Sequence, residues 1–363
     1  MNFDYNEEQQ LLADSVRRFL QKDYDFETRK KAVASAEGWS PKAWAMFAEM
    51  GLTGLPFSPD HGGFGGGAID LMGVMEAFGD ALVVEPYLAT VMAAQLVGKS
   101  TFPEKDKVLS AVVEGKLKMA FAHVEKGARY RLDHVNTTAK KAGGGWTLDG
   151  EKMGVLGAPM ADKLVVSAKG PQGLGLYLIE KGAQGMSLKS YRTLDEMRAA
   201  DITFKGVKAE ALGGNLDLIE EATDFATALI CAEAVGAMKF ACDTTLEYLK
   251  TRKQFGVPIG TFQALQHRMV DMFISYEQAK SMACLACSKA DSAKDRKDRI
   301  RSISAAKIKI ADAARHISQE SVQLHGGMGM SEELKVSHSF RRLTVIAQQF
   351  GDADHHLERF ASL

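Results

Sequence analysis

Cysteine is scarce in this sequence. Its 363 residues hold only Cys231, Cys242, Cys284 and Cys287, too few and too unevenly spaced for a disulfide framework. Cys284 and Cys287 form a C-x-x-C, but in the Ala-rich run from Ser281 to Ala290 they fall on one helical face. A structural metal would need a second ligand pair, and none is present, so the cysteines read as small buried core residues and no metal is assigned. An excess of one charge is also missing. Lys and Arg number 45 against 46 Asp and Glu, a formal net charge of -1, which gives no basic field for a phosphate backbone and argues against a nucleic-acid partner. No uninterrupted apolar run approaches the roughly 18 residues of a spanning helix. The acidic start from Asn2 to Gln10 is not a signal peptide, so the expectation is a cytoplasmic protein with no membrane partner.

What is present is ordinary globular material: 46% hydrophobic and 25% charged residues, enough to bury a large core. The length exceeds what one core usually fills and favours two or three domains. The first stretch is helical. Asn6 caps a segment with Leu11, Leu12, Val16, Phe19 and Leu20 on one face, and Ser40-Pro41 starts a second helix that Gly51 stops. Ala68 to Leu82 and Tyr87 to Val97 keep the helical period, and Pro103 opens a further helix to about Gly115. The glycines from Gly62 to Gly67 permit close backbone approach or make a plain surface loop. Near Lys118 the pattern changes to short β-rich runs at Leu164 to Ser167, Leu174 to Ile179 and Ile202 to Phe204, with turns at Gly143 to Gly145, Asp149-Gly150 and Gly170-Pro171. After Leu212 to Gly214 long helices return, at about Leu218 to Lys253, Phe262 to Asp291 and Arg299 to His325, lengths that suit a bundle. Lys289 to Arg301 mixes both charge signs and reads as a solvated connection. The domains are therefore 1–117, 118–212 and 213–363.

Two segments carry more than secondary structure. In Arg252 to Gln263 (R-K-Q-F-G-V-P-I-G-T-F-Q), Arg252 and Lys253 suit the negative end of a helix dipole, Gly256 a helix stop, and Pro258 a bar to continuation. Val322 to Met330 (V-Q-L-H-G-G-M-G-M) also looks like a helix ending in glycines. Two consecutive glycines after Gln323 and His325 exceed what one cap needs, however, and bare backbone amides suit a pyrophosphate.

Together these segments resemble the acyl-CoA dehydrogenase family, which carries R-x-x-F-G-x-x-I-x-x-F-Q and later Q-x-x-G-G-x-G. The resemblance extends to the E-E-Q start, Gly62 to Gly67, the G-E-K-M stretch Gly150 to Met153 and the F-x-x-V stretch Phe204 to Val207. It implies an α+β, mainly α fold: an N-terminal helical domain, a small barrel-like β-sheet domain and a C-terminal four-helix bundle. It further implies FAD, an acyl-CoA substrate and electron-transfer flavoprotein as electron acceptor. The family residues that hold the adenosine diphosphate part of a neighbouring subunit's FAD map to Arg252, Phe255, Gln263, Gln323 and Gly327, and an arginine's permanently charged donor fork suits phosphate.

The family removes an α-proton from an acyl-CoA with a carboxylate while the β-hydride passes to flavin, giving a trans-2-enoyl-CoA. Its base lies in a Y-E-G-T pattern that falls here on Gln349 to Asp352, with Phe350 in the base position. A minority place the base in the first long helix, which corresponds to Ala226, followed by Thr227. Neither accepts a proton. The T-E-P-G-A-G-S-D stretch, whose hydroxyls contact the flavin ring, reads Val124 to Arg131 without them, and the W-I-T-N stretch becomes Gly154 to Gly157. Groups binding flavin within the subunit are degraded, while groups reaching a neighbour's flavin are kept. With the start Met1 to Tyr24 and the end Phe350 to Leu357, the chain resembles the small subunit of pimeloyl-CoA dehydrogenases. The resulting expectation is a base-lacking subunit that completes a partner's FAD site in a heterotetramer. The alternatives are a self-sufficient homo-oligomer using Asp352 or Asp354 as base, and a same-fold flavoprotein or structural subunit without this activity. His355 and His356, adjacent on a terminal helix, face different directions and read as surface residues.

Overall fold

A computed structural model describes residues 5–363. Met1 to Asp4, which open the stretches Asn2 to Gln10 and Met1 to Tyr24 considered above, lie outside the described residues. Six helices come first: α1 (Glu7–Asp23), α2 (Phe26–Ala34), α3 (Pro41–Glu49), α4 (Ala68–Ala81), α5 (Tyr87–Gly98) and α6 (Lys105–Val113). Seven strands follow: β1 (Met119–Ala122), β2 (Thr138–Ala142), β3 (Gly145–Leu156), β4 (Lys163–Gly170), β5 (Gly173–Glu180), β6 (Met186–Arg192) and β7 (Arg198–Gly213). The chain continues through α7 (Leu216–Thr251), the short strands β8 (Lys253–Gln254) and β9 (Val257–Pro258), α8 (Gln263–Ser292), α9 (Arg296–His325), α10 (Lys335–Gln348) and α11 (Ala353–Ala361). The helices α2 and α10 and the strands β1, β2, β3 and β6 were not marked by the sequence pattern; β2 and β6 carry few apolar residues, reading TAKKA and MSLKSYR.

One compact unit gathers residues 5–30, 67–83 and 227–363. Asn6 caps α1 as expected, in a reciprocal capping box with Gln9. Leu11, assigned to the buried face, is 64% exposed; the stripe runs through Ala13, Val16 and Leu20 instead, and Leu11 lies two residues off it. Helices α4 and α7 cross with their backbones nearly touching. A Cβ on Gly79 would lie 1.8 Å from Glu233 O, and one on Gly236 1.8 Å from Glu76 O, so both positions require glycine. Helices α7 to α10 form the four-helix arrangement. Arg342 of α10 meets Glu233 of α7 at 2.6 Å in a buried ion pair, Arg268 of α8 meets Glu320 of α9 at 2.6 Å, and α11 lies on α9 through His356 and Ser304. All four cysteines are buried and unbridged. Lys289 to Arg301 is mostly exposed, but the connection itself is only residues 293–295: α8 runs to Ser292, α9 starts at Arg296, and Lys289 pairs with Asp298 at 2.7 Å.

The second unit gathers residues 31–66 and 84–226. Its sheet closes on itself: β4, β2, β3, β7 and β5 pair in turn and β5 returns to β4, while β1 adds in parallel to β4 and β6 borders β7. Closure leaves no free edge on the ring, and Leu148, Leu164, Val166, Ile202 and Val207 fill its core. Asp149-Gly150 is not a turn. It lies inside β3, where the register with β7 shifts between Leu148 and Gly150, a bulge that glycine tolerates. In the Gly-rich loop the close backbone approach is to the chain itself. Gly65 N donates to Phe57 O at 2.7 Å and Gly66 N to Leu55 O at 2.8 Å, and a Cβ on Gly63 would lie 2.2 Å from Phe57 O. Helix α7 is long and apolar enough by composition to cross a membrane, a property that averaging reveals and the search for an uninterrupted run missed; 83% of its most apolar stretch is buried within the protein.

Candidate functional site

The segment after α7 is a hairpin, not a capped helix end. Arg252 N still donates to Tyr248 O at 2.8 Å, then β8 and β9 pair across Phe255 and Gly256, with φ of 56° and 82°. Two successive positive φ values make the tight two-residue turn that matches strand twist, so Gly256 serves this turn and does not stop the helix. Pro258 sits in β9. Ile259 N donates to Arg252 O at 2.9 Å, and Gly260 packs on the last turn of α7, where a Cβ would come 2.9 Å from Leu249 O. The hairpin therefore presents Phe255 at its tip, 91% exposed, in a conformation that costs a non-glycine residue on the order of 1 kcal/mol. Gln263 is the first residue of α8 and is exposed.

Helix α9 ends at His325, and a 3-10 turn over Gly326–Met330 follows. The end of α9 itself offers carbonyls; amides that could face an anion belong to this following turn, which refines the expectation of bare amides at a helix end. Packing within the chain explains Gly329, where a Cβ would meet Val322 O at 2.5 Å, and a φ of 59° explains Gly326, but neither explains Gly327, where nothing lies within 4 Å.

The two segments are neighbours although about 70 residues separate them. The Tyr248 and His325 rings stack at 4.4 Å with 29° between planes, and the Thr245 and Ser321 hydroxyls bond at 2.8 Å. This brings Arg252, Phe255 and Gln263 to the same region as Gln323 and Gly327. Arg252, Gln263 and Gln323 are exposed, and among the described residues their side chains have no hydrogen-bond or ionic partner. Tyr248 and His325, which fix this arrangement, were not singled out from the sequence, because nothing local in the chain pairs them.

The Y-E-G-T position is built quite differently. Phe350 is half-buried at φ 60°, and His356 Nε2 donates to its carbonyl at 3.2 Å. Lys307 Nζ, wholly buried, donates to Gly351 O at 2.7 Å and Ala347 O at 3.2 Å; burial brings its pKa down to about 8 against the opposing pull of the Cys231 thiol and Asp352. Asp352 is the N-cap of α11, its Oδ1 accepting from His355 N at 2.9 Å. His356 is not a surface residue: it is 1% exposed, and burial next to Lys307 keeps its imidazole neutral. His355 packs edge-on against it at 5.2 Å. Ala226 lies in α7 and is fully buried.

In the sheet, Glu125, from the stretch set against a flavin-contacting motif, has a structural task. Lys152 Nζ, completely buried, donates to Glu125 Oε1 at 2.8 Å, Ser167 Oγ at 2.9 Å and His123 O at 3.0 Å. Glu125 also accepts from Asn136 N, Thr137 N and Thr137 Oγ1.

Comparison with known proteins places this geometry. Three domains of acyl-CoA dehydrogenases match in order: the N-terminal domain over residues 6–116, the middle domain over 120–207 and the C-terminal domain over 216–362. An L-prolyl-[peptidyl-carrier protein] dehydrogenase of Serratia sp. is 29% identical over 360 residues, covering 92% of this chain and 90% of its own. A variant of the Tcur3481-Tcur3483 steroid ACAD superposes with a TM-score of 0.90 at 28% identity, covering 98% of this chain and 97% of its own. PigA with FAD and proline superposes with a TM-score of 0.90 at 27% identity, covering 100% and 98%. FAD is the cofactor of this family, and the unpaired donors at 252, 263 and 323, with the open Gly327, fit a phosphate-bearing ligand. From its first matched residue to its last, this chain belongs to the acyl-CoA dehydrogenase family of flavoprotein oxidoreductases.

Proposed function

We propose that this chain is the base-lacking subunit of a heteromeric acyl-CoA dehydrogenase and completes the FAD site of its partner. The observation that carries the proposal is a contrast within one unit. Arg252, Gln263 and Gln323 stand exposed and unpaired at adjoining helix ends, while Phe350 occupies the position from which the family delivers its base. Ala226, the other such position, carries no carboxylate either. Unpaired charged and amide donors gain most from a ligand that accepts their hydrogen bonds, and Arg252 is the group that pairs with a phosphate oxygen.

Dehydrogenation of an acyl-CoA breaks the Cα–H bond with transfer of the proton to a carboxylate. The Cβ–H bond breaks with transfer of hydride, and the C–C bond becomes the double bond of a trans-2-enoyl-CoA. Bound FAD supplies the hydride acceptor. The carboxylate must come from the partner, so this chain contributes cofactor binding and not proton abstraction. Reoxidation by electron-transfer flavoprotein and an α2β2 assembly belong to the same proposal, and the paired naming of the steroid enzyme above is consistent with it.

Flavin stoichiometry tests the proposal. The chain purified alone, incubated with FAD and then freed of unbound flavin by gel filtration, should be colourless. Together with an acyl-CoA dehydrogenase encoded beside it, the assembly should retain one FAD per pair of unlike chains. One tightly held FAD per copy of the isolated chain would refute it.

A further inference from the structure

The second unit has a donor-lined cleft that shares no residue with the helix ends described above. It measures about 300 Å³ and is bordered by the loop from α2 to α3, the loop from β3 to β4, and strand-end residues Lys118, Lys181 and Arg198. That volume is at the lower end of small-molecule sites. Backbone bonds tie the walls together: Asp162 N donates to Lys118 O at 2.8 Å, and Lys181 N to Asp162 O at 3.0 Å. Arg198 Nη2 donates to Ser35 O at 3.1 Å, and its side chain crosses Gly38 so closely that a Cβ there would lie 2.1 Å from Arg198 Nε. Gly38 has a φ of 77°, so the loop is shaped around the arginine.

The charges in the cleft do not balance. Lys118 is neutralised, with Nζ 2.9 Å from Asp162 Oδ2 and 5.2 Å from the centre of the Trp39 ring. Lys181 and Arg198 are held by carbonyls alone, Pro159 O for the first and Val33 O and Ser35 O for the second. Neither has an ionic partner among the described residues. Both protons of Arg198 Nη1 are unused, Lys181 Nζ has protons to spare, and Trp39 Nε1 and the Ser190 hydroxyl have no hydrogen-bond partner among the described residues. These donors come from separate elements. A carboxylate accepts in one plane, whereas a phosphate accepts from several directions and at neutral pH carries close to the two negative charges that Lys181 and Arg198 lack. Glu37 is the exception: its exposed carboxylate lines the same cleft without a partner. It repels a bare anion but accepts from a hydroxyl carried beside one.

We infer that this cleft binds a small hydroxyl-bearing phosphate monoester, with Lys181, Arg198, Ser190 and Trp39 donating to the phosphate and Glu37 accepting from the hydroxyl. The site is independent of the FAD half-site proposed above, since every residue it uses belongs to the second unit. Its specificity comes from the pairing of an anion subsite with one carboxylate, which favours the monoester over free phosphate.

The test titrates the full chain by calorimetry, in phosphate-free buffer at fixed ionic strength, with glycerol 3-phosphate, inorganic phosphate and glycerol. The expected result is saturable one-to-one binding of glycerol 3-phosphate, weaker binding of inorganic phosphate and none of glycerol. Lys181→Ala, at an exposed position, should weaken glycerol 3-phosphate about tenfold and leave the melting temperature unchanged. Glu37→Ala should bring the two phosphates closer together in affinity, because it removes both the repulsion of the bare anion and the acceptor for the hydroxyl. Arg252→Ala, which disables the FAD half-site, should change none of these affinities. Absence of saturable binding by either phosphate at millimolar concentration overturns the inference, as does wild-type affinity in Lys181→Ala. Binding lost in Arg252→Ala would place the phosphate at the helix ends and overturn it too. Inorganic phosphate bound as tightly as glycerol 3-phosphate, or a preference that Glu37→Ala leaves intact, would refute the hydroxyl contact and with it the ligand class.

Discussion

Asp291 stands in the space that a side chain at Gly67 would need: a Cβ built there would lie 2.3 Å from Asp291 Oδ2. The two carboxylate oxygens accept Ala68 N at 2.8 Å and Ile69 N at 2.9 Å. An acid at the end of α8 thus caps α4 from 222 residues away, doing what a side chain at position 67 would do in an ordinary helix. Asp291→Ala should cost about 1–2 kcal/mol of unfolding free energy. Gly67→Ser should also destabilise the wild type, through collision, yet it should recover much of the loss in the Asp291→Ala background by supplying a local cap. Denaturant unfolding of the four proteins forms a double-mutant cycle; additive effects would disprove the exchange.

The ion pair of Lys152 and Glu125 makes a second expectation. Burial alone would raise the Glu125 carboxyl, but the bonds from Lys152 and Thr137 outweigh it and bring its pKa to about 2. A depressed folded-state value stabilises the protein above the ordinary value of 4.5, and that contribution disappears as pH falls from there to about 2. Lys152→Met strands a buried carboxylate and should cost about 3–5 kcal/mol. Adding Glu125→Gln should return part of the loss and flatten the fall of melting temperature over that acid range. A double variant no more stable than Lys152→Met, or with an unchanged acid slope, would show that the pair does not act as described.

The glycines after α9 separate packing from binding. Gly329→Ala forces a methyl to within 2.5 Å of Val322 O and should lower the melting temperature by several degrees, equivalent to about 1–3 kcal/mol. Gly327→Ala meets nothing within 4 Å; it should leave the melting temperature of the chain alone unchanged while weakening FAD retention in the assembled enzyme. Calorimetry on the isolated chain and flavin release from the complex measure the two independently. A Gly327→Ala chain that melts early would mean the position is structural.

Much of this was legible in the sequence because it was local. Asn6 with Gln9 and Ser40 with Pro41 are complete start signals within four residues, and each does start a helix. The long periods of α7, α8 and α9 also gave their ends to within a few residues. What could not be read depends on residues far apart in the chain. Lys289 to Arg301 has no apolar face, so the contact of Asp291 with the start of α4 could not be read from it. Asp149-Gly150 looked like a turn because a bulge and a turn use the same dipeptide, and only pairing with β7 tells them apart. The site residues followed a similar division: Arg252 and Gln323 stood in recognisable patterns, whereas the Tyr248–His325 stack that joins those patterns has no signature in either segment.

The last expectation concerns the reaction. On the proposed reading this chain alone, supplied with FAD, should not oxidise acyl-CoAs, because that reading puts Phe350 and Ala226 at both positions that deliver a base, and loss of general base catalysis removes about a hundred- to ten-thousand-fold in rate. Asp352 is the competing candidate, two residues past Phe350. Its Oδ1, however, accepts His355 N at 2.9 Å as the cap of α11, and the adjoining Gly351 carbonyl is tied to Lys307 at 2.7 Å. Reaching a substrate would require breaking the cap, at about 0.5–2 kcal/mol, and turning a residue whose neighbours on both sides are anchored. Asp352→Asn keeps an acceptor at the cap but cannot take a proton at neutral pH, so it separates capping from catalysis. The assay uses straight, branched and dicarboxylic acyl-CoAs against the isolated chain, its Asp352→Asn variant and each with the partner added. The expected pattern is no turnover by either isolated form and equal turnover by both once the partner is present. Robust turnover by the isolated wild type that Asp352→Asn abolishes would make Asp352 the base and this chain a self-sufficient dehydrogenase.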